Sequence, residues 1–276
     1  MKKAIISLIL ITTILFAVLI IILSTVGIET NKFNKLISEK AYQKNIKLEL
    51  ETIQFKIDPK ELSLFIEAKN PKITYKELSL PSRSIKLYID FFSLLKSNPV
   101  IKKINLSSEE LNISQVSKLS KIIKPSNFKS ILNNRIKKGK LIFEIEIFLK
   151  EDGLLENFIT TGTVKNLNAK LLNDVNLTKT NFNFFADQND ILVKNIFGDL
   201  ADIEISEGYL KLNLEDGIKL NSNFYSKIDY DKKLITKYSA LFGKNILSEN
   251  LNFLKAGLNN NLSINLDDTY KVKNYK

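Results

Sequence analysis

Residues 139–149 read GKLIFEIEIFL, and within them Leu141, Phe143, Ile145, Ile147 and Leu149 stand at alternate positions. Ile142, Glu144, Glu146 and Phe148 fill the places between. Successive side chains of an extended chain point to opposite sides of the pleat, so this period of two specifies a β-strand with one apolar face. The pattern recurs downstream, and strands are expected around 164–171, 177–185, 191–196, 203–205, 210–214 and 218–224. Glu151-Asp152-Gly153, Ser206-Glu207-Gly208 and Glu215-Asp216-Gly217 read as the turns that divide them. Short strands separated by turn signals indicate an antiparallel meander. A short helix over 246–256, a strand over 262–266 and a polar tail, TYKVKNYK, without a closing element complete this half.

Working upstream, Thr30 is expected to cap a helix carrying Phe33, Leu36, Ile37 and Ala41 on one face. Period two then takes over with Ile46, Leu48 and Leu50, flips phase at a bulge or turn near Glu51-Thr52, and continues through Ile53, Phe55 and Ile57. Pro59, Pro71, Pro81 and Pro99 punctuate the next stretch into short strands at 62–68, 73–75 and 85–89, a helical or turn segment at 91–95, and a strand through Ile101, Ile104 and Leu106. Two helices are expected next, Ser114 to Pro125 and Ser126 to Gly139. The fold class expected is mainly β: an N-terminal transmembrane helix, then a twisted antiparallel sheet or open β-groove with a few short helices. Three regions are expected, 1–28, 29–138 and 139–276.

The first of these is the most distinctive. Lys2 and Lys3 precede an uncharged run from Ala4 to Ile28 that ends at Glu29. About 20 apolar residues cross a hydrocarbon core of ~30 Å, so the run is long enough. The lysines should stay on the cytoplasmic side and the rest of the chain outside it. A cleavable signal peptide is the competing reading, although its apolar region is usually shorter and Thr25 and Gly27 make a weak cleavage site. No later window has the length of a second span. A single-pass protein of a bacterial inner membrane with its bulk in the periplasm is the expectation.

Composition closes off most chemistry. The chain has no Cys and no His, hence no thiol nucleophile, no Ser-His or Cys-His dyad and no ordinary zinc, haem or iron–sulfur site. Ser93-Leu-Leu-Lys96 and Ser126-Asn-Phe-Lys129 match S-x-x-K, but neither S-D-N nor K-T-G accompanies them. Glu215-Asp216, Asp267-Asp268 and the pair Asp187 and Asp190 fall in turns, where acidic residues serve local hydrogen bonding. No catalytic residue, metal ligand or cofactor is expected, and the protein reads as a non-enzyme.

Net charge is +11 and lies unevenly, about +14 over residues 1–140 and −3 over the remainder. Much of this surplus reflects a chain rich in Lys, Asn, Ile and Leu throughout. The stretch 118–140 holds eight basic residues and no acid. Lys118, Lys121 and Lys124 lie on the polar side of the expected helix, where they could rest on anionic headgroups. A solvated helix face is the simpler reading of the same residues. Nucleic acid is not expected as a partner, because the anchor places this segment outside the cytoplasm.

The order of these elements resembles the AsmA-like superfamily of membrane-anchored periplasmic proteins, which includes the TamB and YhdP groups. The resemblance rests on the anchor, the helix around Phe33 to Ala41, the strand IKLELETIQFKIDP, and LPSRSIKLYIDFFSLLKSNPVIKKINL with its apolar Leu80, Ile85, Leu87, Ile89, Leu94, Leu95, Ile101, Ile104 and Leu106. TGTVKNLNAKLL followed by NFNFFADQNDILVKN is similar to the family's repeated strands, with Gly162-Thr163-Val164 at the start of one. Asn45 departs from the Gly usual before the first strand, and members with a transport role are usually much longer, so a short or truncated member is implied. The resemblance implies an open β-groove whose apolar concave face guides phospholipid acyl chains in outer-membrane lipid homeostasis. Leu141, Phe143, Ile145, Ile147, Leu210, Leu212 and Leu214 are then the expected groove lining. The alternative, from a different class, is an anchored envelope scaffold or assembly factor that binds proteins through its sheet edge. Roughly a dozen strands at ~4.8 Å each give about 60 Å, short for a complete bridge, so self-association or an envelope partner is expected as well.

Overall fold

The structure is a computed structural model that describes residues 2–43, 45–59, 63–75, 78–90, 93, 100–113, 115, 135–172, 175–215, 217–239, 251–267 and 272–276. The helices expected over 114–125 and over most of 126–139, and most of the segment 91–95, lie outside the described residues. The described chain is mainly β, one open antiparallel sheet with a single apolar N-terminal helix. It divides into two compact units, residues 1–110 with 143–159, and residues 111–142 with 160–276.

In the first unit, helix α1 (Lys2–Thr25) is followed almost at once by strand β1 (Ile28–Thr30). The helix ends in backbone bonds from Val26 and Gly27 to the Ile22 carbonyl, both 2.9 Å, with Gly27 at φ +77°. That left-handed closing residue is the glycine-type helix stop. β1 pairs with β3 (Ile53–Asp58), β3 with β4 (Ser63–Lys69), β4 with β6 (Leu78–Ile89), and β6 with β7 (Ile101–Ser108). The C-terminal part of β9 (Ile136–Leu149) pairs with β7. A side ladder, β2 (Ile46–Glu49) on β5 (Lys72–Tyr75), joins the N-terminal part of β6. Helix α2 (Asn34–Tyr42) closes over the apolar side. Its Ser38 hydroxyl donates to the Leu48 carbonyl at 2.6 Å, and Asn34 Nδ2 donates to the Leu50 and Glu51 carbonyls. Beneath it Ile37, Leu48, Leu50, Ile53, Ile66, Ala68, Ile85 and Leu87 leave a gap of only about 20 Å³. Ile53 is fully buried there.

Three details of this unit differ from the sequence expectation. Thr30 lies in β1, where its hydroxyl accepts from the Lys32 N–H, and α2 starts after Phe33 with no side-chain cap. Pro81 does not end a strand: β6 runs through it, because β5 pairs only as far as Pro81 and β4 takes over from Ser84, so no ladder bond is demanded of the missing N–H. Asn45, standing where the resembling family has Gly, has φ +61°, a conformation Asn tolerates better than most residues.

The second unit carries β10 (Leu155–Leu172, from Thr160 onward), β11 (Val175–Ala186), β12 (Asp190–Leu200), β13 (Ile203–Asn213), β14 (Ile218–Asp231), β15 (Phe253–Leu266) and β16 (Val272–Tyr275), each paired with the next. The short β8 (Leu111–Asn112) pairs with the N-terminal part of β9. Here Ile136–Gly139 is strand, not the end of a helix. Ser206-Glu207-Gly208 is not a turn: Glu207, at φ +54°, is a bulge that leaves β13 continuous. Asn166, Lys179 and Asn195 also have positive φ, and each lies at a break in register between β10, β11 and β12, so a band of bulges crosses four neighbouring strands. Phe253–Ala256 is strand where a helix was expected, and β16 supplies a closing strand where none was expected.

A third helix, α3 (Lys232–Ser239), was not foreseen. Asp231 Oδ1 caps it by accepting from the Leu234 N–H, and Ile235, nearly fully buried, packs against Tyr230. The Tyr230 hydroxyl donates to the Ala201 carbonyl at 2.8 Å, tying β14 to the two-residue turn Ala201-Asp202, where both φ are positive. Tyr230→Phe should lower the unfolding free energy by about 1 kcal/mol in a denaturant titration, through the lost hydrogen bond alone.

At the opposite hairpin, Asp190 accepts from Asn213 Nδ2 at 3.0 Å and pairs with Lys211 at 3.1 Å. The Lys211 hydrogen bond, then that of Asn213, hold the Asp190 carboxyl below its ordinary value. A depressed folded-state value means that the contribution is present above the unfolded-state value and is lost as pH falls through the folded one. Thermal melts from neutral to acid pH should therefore show a shallower acid decline for Asp190→Asn than for the parent.

Candidate functional site: an apolar sheet face

Cross-strand partners in an antiparallel ladder lie on the same face, so the registers sort every side chain. In the first unit one row runs Ile28, Phe55, Ile66, Leu87, Ile104, Ile147, directly paired strand to strand across six strands. The parallel row reads Thr30, Ile53, Ala68, Ile85, Leu106, Ile145. α2 covers the start of the second row and reaches the first, where Ile66 and Leu87 share a gap with Ile37 and the Phe33 ring meets Phe55 edge-on at 5.7 Å. The first row is half-buried from Phe55 to Ile147 and is 54% exposed at Ile28. At ~4.8 Å per strand its five steps span about 24 Å.

The other face of the same unit is mixed, a polar row beside a row of Lys56, Phe65, Tyr88, Lys103 and Phe148. Glu29, Gln54, Glu67, Lys86, Asn105 and Glu146 form the matching row. Lys56 pairs with Glu67 at 2.7 Å, and Asn105 Nδ2 donates to Glu146 at 2.9 Å. Beside this row Phe65 stacks on Tyr88 at 5.1 Å, and Lys103 Nζ lies 4.1 Å from the Tyr88 ring centre.

The second unit repeats the division. β14 alternates with Ile218, Leu220, Phe224, Ile228 and Tyr230 turned inward and Lys219, Asn221, Asn223, Tyr225 and Lys227 outward. Leu212 lies opposite Leu220 and Ile191, and Leu210 opposite Ser222 and Val193. Ile264, Leu262 and Leu254 extend the apolar face on β15. Glycines on this face admit large neighbours: a Cβ at Gly162 would stand 2.6 Å from the Phe184 ring, and one at Gly208 would stand 2.5 Å from Ile196 Cβ.

The residues expected from sequence as groove lining therefore fall into two groups. Phe143, Ile145 and Ile147 lie in the first unit, with Ile145 opposite Leu106 and Ile147 opposite Ile104. Leu141, opposite the fully buried Leu111, belongs to the second, as do Leu210 and Leu212. Leu214 lies just past the end of β13, held by a backbone bond to Asn189, and is 38% exposed. Lys118, Lys121 and Lys124 lie outside the described residues. Sequence reasoning missed the row from Ile28 to Ile104. Its members were legible as inward positions of separate strands, but only the register aligns them.

The turn acids have local partners. Asp187 Oδ1 accepts from the Asn189 and Asp190 N–H groups, and Asn189 Nδ2 donates to Glu215. Ser93 Oγ donates to the Asp90 carbonyl and accepts from the Val100 N–H, so it ties down a turn. Among the described residues no group of three acids is placed to hold a metal ion.

α1 includes a 21-residue stretch, Ile5–Thr25, with mean hydropathy 3.2 and none of its hydrophobic window buried. It is long and apolar enough to cross a membrane. No protein-family model matches the chain, and comparison with curated proteins and with solved structures gives no match.

Proposed function

We propose that this is a membrane-anchored, non-enzymatic protein that holds or passes phospholipid acyl chains along the apolar face of its sheet, in the manner of AsmA-like proteins. α1 is the anchor, in a bacterial inner membrane, with Lys2 and Lys3 on the cytoplasmic side and the sheet in the periplasm. The observation that carries this reading is the row Ile28–Phe55–Ile66–Leu87–Ile104–Ile147. It starts three residues after a helix of membrane-spanning length and stays apolar across six strands, with Ile104 and Ile147 half-buried beyond the gap under α2. A contiguous apolar strip left partly open to solvent is the kind of surface that serves a ligand or partner. Its ~24 Å exceeds one ~15 Å leaflet of hydrocarbon, enough for an extended acyl chain. Protein extracted in mild detergent should carry phospholipid detectable by mass spectrometry at near-stoichiometric level. A preparation free of lipid, with the sheet intact by circular dichroism, would count against the proposal.

One observation favours the scaffold alternative. β15 is paired along its whole length with β14, yet β16 covers only its last residues, so among the described residues no strand pairs with the outer edge of 253–262. Phe253, Leu258 and Leu262 are exposed there, and an open edge of that length can accept a strand from a protein partner or a second copy. Lipid-free protein that co-purifies with one stable partner would favour this reading.

A further inference from the structure

At the strand ends of the first unit, a cavity of about 470 Å³ lies between the start of β7 and the hairpin that joins β9 to β10. Its apolar floor is Val100, Phe148 and Leu149, and its charged rim is Lys102, Lys150, Glu151 and Glu156. Leu149 stands two residues beyond Ile147 and so, by the strand alternation, on the face that carries the apolar row. Phe148, opposite Lys103, lies on the other face, so the cavity takes in both faces at the strand ends, with its Leu149 wall about 7 Å along β9 from Ile147. Lys102 is paired with Asp90, whereas Lys150 and Glu151 make no ion pair among the described residues. A rim on which Lys150 and Glu151 hold unlike charges over an apolar floor matches a group bearing both charges, attached to hydrocarbon.

Resting on the lipid reading above, we propose that this cavity seats the headgroup of a zwitterionic phospholipid of the phosphoethanolamine class, while an acyl chain lies back along Ile147 and Ile104. Lys150, with Lys102, faces the phosphate. Glu151 faces the ammonium and disfavours a headgroup of net negative charge. The floor takes the glycerol end of the chains. Selection comes from the acidic half of the rim, because the phosphate is common to all phospholipids.

The test uses the full chain in nanodiscs containing equal amounts of phosphatidylethanolamine and phosphatidylglycerol with matched acyl chains, followed by mass spectrometry of the lipid that stays bound. The expected result is about a fivefold enrichment of phosphatidylethanolamine over phosphatidylglycerol, the scale of a well-placed exposed ion pair. Glu151→Lys should bring the ratio to parity or reverse it, and Lys150→Glu should lower retention of both lipids; these two solvent-facing substitutions leave the melting curve unchanged. Bound lipid in the supplied ratio, unaffected by Glu151→Lys, would overturn the headgroup assignment and leave the apolar row standing. No bound lipid at all would overturn both. Saturable binding of soluble phosphoethanolamine to the lipid-free protein, with no enrichment from nanodiscs, would also overturn it, since the site would then serve a soluble ester.

Discussion

Ile53→Asp is expected to unfold the first unit, whereas Ile104→Asp in the neighbouring row is expected to leave it folded. Ile53 is fully buried beneath α2, among Ile37, Leu48 and Ala68. A carboxylate there has no partner and no water, and the cost is roughly 4 kcal/mol or more, a large share of a typical domain's stability. Ile104 is half-buried on the open stretch of the face, so a carboxylate there keeps part of its hydration and costs about 1–2 kcal/mol. The two rows thus separate packing from binding. Pulse proteolysis should report early loss of the Ile53→Asp protein. For Ile104→Asp it should report near-parental resistance, together with loss of co-purified lipid. Comparable collapse of both would make the whole face closed core.

Gly27→Val is expected to produce the second largest effect, about 3 kcal/mol. The residue sits at φ +77°, which a β-branched side chain does not tolerate, and an added Cβ would stand 2.8 Å from the Phe55 carbonyl oxygen and 2.7 Å from Lys56 Cγ. Strain and clash act on the same joint, where α1 passes into β1 without a linker. Relief requires β1 to leave β3, which removes Ile28 from the start of the apolar row. Hydrogen exchange should show loss of protection confined to 28–30 and 53–55, with α2 and β4 unaffected. Unchanged protection at 28–30 would mean that the joint has more room than its geometry indicates.

Much of this architecture can be read from the sequence, and the failures have physical causes. LIFEIEIFL announces itself, because nothing but a strand places an apolar side chain at every second residue. Ser206-Glu207-Gly208 misleads because a turn and a bulge recruit the same residues, those that accept positive φ; only the partner strands tell the two apart. Leu251, Leu254 and Leu258 have helical spacing, yet pairing with β14 draws Phe253–Leu266 into the sheet, a tertiary preference that local pattern does not contain. α3 is hidden because its eight residues offer little beyond one apolar pair, Leu234 and Ile235, and a capping Asp231. The apolar row is the clearest case. Ile28, Phe55, Ile66, Leu87, Ile104 and Ile147 are spread over 120 residues, and each is an ordinary strand residue until the registers set them side by side.

The most direct test of the central claim is site-specific photo-crosslinking in the native membrane, with the reactive side chain at Ile104 or Ile147 and, as in-sheet controls, at Asn105 or Glu146 on the other face. Adjacent residues of one strand then differ only in the side of the sheet they present. Phospholipid adducts at Ile104 and Ile147, and none at Asn105 and Glu146, are the result predicted. Adducts at none of the four positions, or equally at all of them, would contradict the assignment of this face to lipid.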